Sequence, residues 1–443
     1  MSTYLRNTLA QAGETLAVAD ADGACSANDL LHAVSRVGTT LDEAGPVAGR
    51  VVTLEADYGV PAIAAFLALI ERKAVIVPLS TAVRGQHEAF REIAQAELRV
   101  WCDGTGHSLE WTGCAAAHPL YETLRERATG GLVLFSSGST GVPKAAVHDM
   151  SALLRKFHVR KRAFRTIAFL QLDHIGGVNT LLYTLSNGGA VIVPPDRSPD
   201  GVCATIETHR AELLPTSPTF LNLLLVSGAA DRHDLSSLRL ITYGTEPMPA
   251  ATLERLADAF PHIQLRQTYG MTEVGILRSE SRDQRSLWIR VGGEGYETRV
   301  VDGRLWIRAE SAMLGYLNAP SPFSADGFLD TGDQVEVDGD WLKILGRKSD
   351  LINVGGSKVY PAEVESVLLT LDGVEDVTVS GEAHALTGQI VTATVRLATP
   401  EPLADFKARM RLACRGRLES YKVPVRIRFA EGPLYSERYK RRR

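Results

Sequence analysis

The sequence predicts an α/β protein of two or three structural units, on three observations. Residues 15–125 alternate helix-like and strand-like runs, the alternation returns between residues 190 and 260, and glycine-rich short strands replace it from about Val291. The first two observations point to mostly parallel sheets covered by helices, because a parallel strand pair needs a crossover between its members. The third points to small antiparallel strands and hairpins. A chain of 443 residues also exceeds what one hydrophobic core ordinarily supports.

Taken in order, residues 30–44 read as helix, 51–54 as strand, 61–72 as helix and 74–78 as a β-branched strand. The apolar stretch 60–70 stops at Glu71-Arg72-Lys73, too short to span a bilayer, and reads as a buried helix. Residues 191–193 and 238–243 read as strands, with helices at 218–226 and 250–259. The later strands fall at 298–301, 304–307, 334–337 and 341–344. Asp302-Gly303 and Asp338-Gly339 supply the turns, where positive φ is commonly required. Beyond residues 346–350 come a strand, a helix at 361–371, further strands and a helix at 403–417, enough for a small α+β unit.

With 45% hydrophobic and 23% charged residues the composition is that of an ordinary globular protein. A net charge of −4 gives no general attraction to nucleic acid or anionic membrane. The one basic cluster, Arg438 with residues 440–443, reads either as a solvated tail or as part of a site. Five scattered cysteines without a Cys-x-x-Cys pair argue against a disulfide framework or structural zinc and fit a reducing cytoplasm. The first residues lack the apolar core of a secretory signal, so the expected location is cytoplasmic.

The most informative segment is Ser136-Ser137-Gly138-Ser139-Thr140-Gly141-Val142-Pro143-Lys144, directly after an apolar strand-like run. Glycines let backbone N–H groups turn inward as an anion nest, the hydroxyls add donors, and Lys144 adds a full positive charge. The spacing is not that of a Walker loop, which needs Gly-Lys-Ser/Thr at its end. Downstream, Tyr269-Gly270-Met271-Thr272-Glu273 joins an aromatic ring, a hydroxyl and a carboxylate, and a hard cation beside phosphate takes such an oxygen ligand. Asp333, in Asp330-Thr331-Gly332-Asp333, carries two acceptor oxygens. Alone it would read as a turn aspartate.

These segments, in this order, resemble the adenylate-forming (AMP-binding) superfamily, with acyl- and aryl-CoA synthetases among its members. The resemblance covers nearly the whole chain. It implies a large N-terminal domain, residues 1–347, with mostly parallel sheets and a small β-barrel-like part. A small mobile C-terminal domain, residues 348–443, would carry the catalytic lysine. Ser136, Ser137, Gly138, Ser139, Thr140, Gly141 and Lys144 would hold the phosphates of ATP. Thr272 would reach the α-phosphate, and Glu273 would hold Mg²⁺. The Tyr269 ring would lie against the purine, and Gly244, Thr245 and Glu246 of Tyr243-Gly244-Thr245-Glu246-Pro247 would line the adenine and acyl pockets. Asp333 and Arg347 would hold the ribose.

Ser436-Glu437-Arg438-Tyr439-Lys440-Arg441-Arg442-Arg443 keeps the hydroxyl, lysine and arginine spacing of the family's C-terminal signature, with Tyr439 at its glycine, and makes Lys440 the candidate catalytic lysine. His174, in Asp173-His174-Ile175-Gly176-Gly177, is similar to the family histidine bordering the acyl pocket. Gly355-Gly356 is similar to the loop beside which a pantetheine arm passes. Ser349 stands where relatives usually carry Asp or Lys at the hinge. The implied activity is ATP-dependent joining of an aryl or modest aliphatic acid to coenzyme A through an acyl-adenylate, leaving AMP and diphosphate. A carrier-protein pantetheine or an amine is the alternative acceptor. A catalytically silent nucleotide-binding protein is the alternative from another class, and no nucleic-acid partner is expected.

Overall fold

The computed structural model describes residues 3–103, 106–136 and 143–442. Among these, two seven-stranded sheets dominate the larger part. The first runs in the order Gln264–Gln267, Leu240–Tyr243, Leu213–Thr216, Arg165–Ile167, Ala190–Ile192, Leu16–Asp20 and Gly23–Ser26, and every pair but the last is parallel. The second runs Gly315–Tyr316, Lys144–Asp149, Gly131–Ser136, Val75–Leu79, Val51–Glu55, Leu98–Asp103 and Gly106–Trp111, with a parallel centre and antiparallel edges.

Helices Ala27–Ala44, Val60–Glu71 and Ile175–Ser186 pack between the two sheets, sharing one core with Val18 and Val191 of the first and Val52, Ile76 and Leu132 of the second. Every residue of Val60–Glu71 from Ala62 to Ile70 is buried, which explains a helix without a polar face. Helices Pro199–His209, Pro218–Ser227 and Ala250–Ala259 cover the outer face of the first sheet, and His87–Ala94 with Pro119–Glu126 covers that of the second. No helix of the described residues is long and apolar enough to cross a membrane.

A six-stranded antiparallel sheet follows, from Arg278–Ser281 to Trp341–Arg347, around its own small core. Its turn at Asp302 and Gly303 has φ of 51° and 73°, as a two-residue hairpin demands. The last sheet, of five strands, packs against helices Pro361–Leu368 and Leu403–Cys414 around a separate core that includes Val364, Phe406 and Ile427. Both helices end three residues before the sequence reading. At the first, the hydroxyl of Thr370 turns back to the Val367 carbonyl, and Gly373 then takes φ of 72°.

After strand Arg426–Phe429 the chain leaves this last unit and returns to the first sheet. There Tyr439 packs against Phe169 and Phe220.

Candidate active site

A cavity of about 1690 Å³ opens where Ser136, Thr216, Gly244 and Thr268 stand at or just beyond the carboxyl ends of parallel strands. Open α/β sheets bind ligands at such ends, where helix N-termini and loops converge. The lining brings together Ser136, Lys144, His174, Gly244, Thr245, Thr272, Glu273, Arg347 and Lys440. Tyr269 and Asp333 stand behind Arg347: the tyrosine hydroxyl donates to the Asp333 carboxylate, whose Oδ1 is 3.6 Å from Arg347 Nε. Ser137, Gly138, Ser139, Thr140 and Gly141 lie outside the described residues. Gly355 and Gly356 form the turn between Ile352–Val354 and Ser357–Val359, away from the lining.

His174 caps helix Ile175–Ser186, its Nδ1 accepting from the Gly176 N–H at 3.0 Å. Burial, reinforced by the charges of Lys440 and Arg438, holds this imidazole well below its ordinary pKa, so the ring is neutral. With Nδ1 accepting, the single ring proton sits on Nε2. The adjoining glycines have a steric reason: a Cβ on Gly177 would stand 1.9 Å from the Gln171 carbonyl oxygen.

Glu273 is buried, and one of its oxygens accepts from the Tyr316 hydroxyl at 2.5 Å. Burial first, then the carboxylate, pushes this phenol above its ordinary pKa, which keeps it a proton donor. Lys144 Nζ lies 5.4 Å from the centroid of the same ring. Tyr316 thus links Lys144 to Glu273. Sequence reasoning passed over it, and nothing in Gly315-Tyr316 marks a link to residues 43 and 172 positions away.

The C-terminal tail is pinned rather than solvated. Arg438 Nη2 pairs with Asp173 Oδ2 at 2.7 Å, and the same oxygen accepts from Ser80 Oγ at 2.6 Å. Ser217 Oγ donates to the Tyr439 carbonyl at 2.7 Å, and the Arg441 N–H donates to Glu246 Oε2 at 3.2 Å. Arg441, its side chain only 3% exposed, reaches Glu365 at 2.9 Å and the Val377 carbonyl at 2.6 Å. Lys440 is fixed on both sides with its side chain on the cavity. Burial lowers its pKa from the usual lysine range; Arg438 and Arg347 act in the same direction, and Glu246 opposes them.

Glu246 serves this anchoring. Its Oε1 accepts from the Thr219 N–H at 2.8 Å, at the start of helix Pro218–Ser227, so one carboxylate joins that helix to the tail. Tyr439 adopts φ of 52°, the left-handed region, which accounts for glycine at this place in the resembled signature. Its ring stacks on Tyr435 at 5.4 Å and meets Phe169 at 5.2 Å.

Residues 129–317 match the family model for AMP-binding enzyme, and residues 363–435 match that for AMP-binding enzyme C-terminal domain. The 2-succinylbenzoate–CoA ligase of Geobacillus kaustophilus is 30% identical over 377 residues, 76% of this chain and 74% of that protein. The 3-[(3aS,4S,7aS)-7a-methyl-1,5-dioxo-octahydro-1H-inden-4-yl]propanoyl:CoA ligase of Rhodococcus jostii is 30% identical over 319 residues, 68% of this chain. That match spans 61% of the Rhodococcus protein, less than two thirds of its length. Among solved structures, the anthranilate CoA ligase AuaEII in complex with anthranoyl-AMP shares the fold, with a TM-score of 0.81 at 21% identity over 99% of this chain and 95% of that one. The chain belongs to the AMP-binding enzyme family.

Proposed function

We propose that this protein joins a small carboxylic acid to coenzyme A at the expense of ATP, through an acyl-adenylate. The observation that carries the reading is the convergence of Lys440, delivered by the far C-terminus, with Lys144, His174, Thr272 and Glu273 on one cavity. The acid's carboxylate attacks the α-phosphorus and diphosphate leaves; the thiol of coenzyme A then attacks the acyl carbonyl and AMP leaves. Lys440 stabilises the negative charge that develops between carboxylate and α-phosphate, and Lys144 neutralises the departing phosphates. Thr272 reaches the α-phosphate. Asp333 and Arg347 hold the ribose, with the Tyr269 ring behind them. Neutral His174 borders the acyl carbon without repelling Lys440.

The donor set suits Mg²⁺. Glu273 lines the cavity beside Thr272, and no group of three or more acidic, histidine or cysteine ligands occurs among the described residues. A hard cation held by one carboxylate and the oxygens of triphosphate matches that arrangement. Bound there, Mg²⁺ would offset the charge of the phosphates.

The two half-reactions need different groups at one carbon. Residues 348–443 therefore form a domain that turns about the segment near Ser349, bringing Gly355 and Gly356 to the cavity in place of Lys440. The separate core around Val364 and Phe406 is consistent with a unit that moves whole. An acid panel assayed for acid-dependent AMP formation, with coenzyme A and a pantetheinylated carrier compared as acceptors, tests the reading. Acyl-CoA as product supports it, and acyl-carrier as the sole product overturns the acceptor.

A further inference from the structure

One face of helix Ile175–Ser186 forms a wall of the cavity: Gly176, Asn179, Thr180 and Tyr183 all line it. These residues recur at one-turn spacing, so the cavity follows the helix away from His174 for two turns, about 11 Å at 5.4 Å per turn. At its far end stand Lys156, Lys161, Arg162 and Arg266, all on the lining. Lys156 Nζ donates to the Ile276 carbonyl at 3.0 Å, close enough to Lys161 for the two ammonium groups to repel. Arg162 and Arg266 both act on the Tyr183 hydroxyl, which donates to the Arg162 carbonyl. None of the four cations forms an ion pair among the described residues.

Lys161 and Arg162 are exposed, whereas Lys156 is half-buried, where a charge without a counter-charge is costly. Of the acids on the lining, Glu310 pairs with Arg155 at 3.6 Å and Glu280 with Arg290 at 3.8 Å, and among the described residues none pairs with Lys156. Burial and Lys161 together bring the Lys156 amine down to about 7, so it stands ready to regain its proton beside an anion.

We infer that the acid activated here carries a second anionic group, a distal carboxylate or its equivalent, which Lys156 receives at the far end of the acyl cavity. The inference rests on the acid-activating reading above and narrows it. Lys156 is a specificity-determining residue: it touches the far end of the substrate and takes no part in bond making.

The experiment pairs 4-(carboxymethyl)-, 4-(2-carboxyethyl)- and 4-(3-carboxypropyl)benzoic acids with their side-chain carboxamides, in diphosphate release by the full chain. For at least one pair the diacid should exceed the amide in kcat/KM by about 10- to 100-fold, the worth of one charge-assisted hydrogen bond. Lys156→Met should erase that preference while leaving the amides and the KM for coenzyme A unchanged, and Lys156→Arg should restore part of it. Equal turnover of diacids and amides by the native protein, or a Lys156→Met effect confined to coenzyme A, would overturn the inference and leave the activating reading standing. Absence of diphosphate release with every acid would overturn both.

Discussion

The hydroxyl of Tyr316 donates to Glu273 across 2.5 Å, while Lys144 lies over the face of the same ring. The strand holding Tyr316, Gly315–Tyr316, pairs with Lys144–Asp149, so the sheet edge itself sets the distance between Lys144 and Glu273. Tyr316→Phe keeps the ring and removes only the donor. Adenylation should fall about tenfold or more, the scale of a hydrogen bond to a charged group, with a raised Mg²⁺ requirement and little change in melting temperature. An unaltered Mg²⁺ dependence would mean that the hydroxyl does not orient Glu273.

Arg441 joins two parts of the chain. Its guanidinium sits against Glu365 of the last unit, and its backbone N–H bonds Glu246 beside the first sheet. Arg441→Met removes the 2.9 Å ion pair to the buried Glu365 carboxylate, whose Oε1 also receives the Val379 N–H. A loss of about 3 kcal/mol in stability is expected, the usual cost of breaking a buried ion pair from one side. Denaturant unfolding measures it. Adenylation should fall further than the stability loss explains, because Lys440 is the neighbouring residue.

Tyr439 combines a strained backbone with a packed ring. Tyr439→Gly should relieve about 1 kcal/mol of left-handed strain yet lose the larger contribution of an aromatic contact set. The variant should therefore melt lower than the native protein and hold its tail less firmly, read as faster proteolysis near residue 438. Equal or higher stability would show that the ring contributes little.

The half-buried Lys156 gives stability a pH dependence whose sign follows from its lowered pKa. Its folded pKa, about 7, lies below the usual lysine value of 10.5, with burial the main cause and Lys161 the second. Below pH 7 both folded and unfolded chains carry the proton, and the folded state bears the full cost of the buried charge. Between about 7 and 10.5 the unfolded chain binds more protons, so this contribution to stability improves as pH rises. Lys156→Met should be more stable than the native protein at pH 6, with the gap closing toward pH 10. A gap that widens with pH would contradict the assignment.

Much of the architecture was legible in the sequence because its signals are local. The βαβ alternation and turns such as Asp302-Gly303 depend on neighbouring residues, and helix Ala250–Ala259 is found where its pattern places it. Boundaries slipped where a helix ends in a turn without a strong stop, as after Leu368. The gathering of Lys440, His174 and Glu273 could be anticipated from the resemblance of three segments to the family's motifs. Their supports could not: Tyr316, Asp173 with Arg438, and Glu246 with Arg441 are joined across 43 to 265 residues, and no local pattern records such pairings. Lys156 was equally silent, since a lone lysine on a helix ordinarily faces water.

The central claim is that Lys440 acts on the adenylating step, and single-turnover comparison of the two half-reactions of Lys440→Ala tests it most directly. Adenylate formation from acid and ATP should drop by about 10²- to 10³-fold, the scale for removing one preorganised charge. Because burial lowers the pKa of Lys440, the native rate of this step should also decline at a lower pH than an ordinary lysine would give. Acyl transfer from supplied adenylate to coenzyme A should proceed at the native rate. An equal loss in both steps, or no loss in the first, would contradict the account.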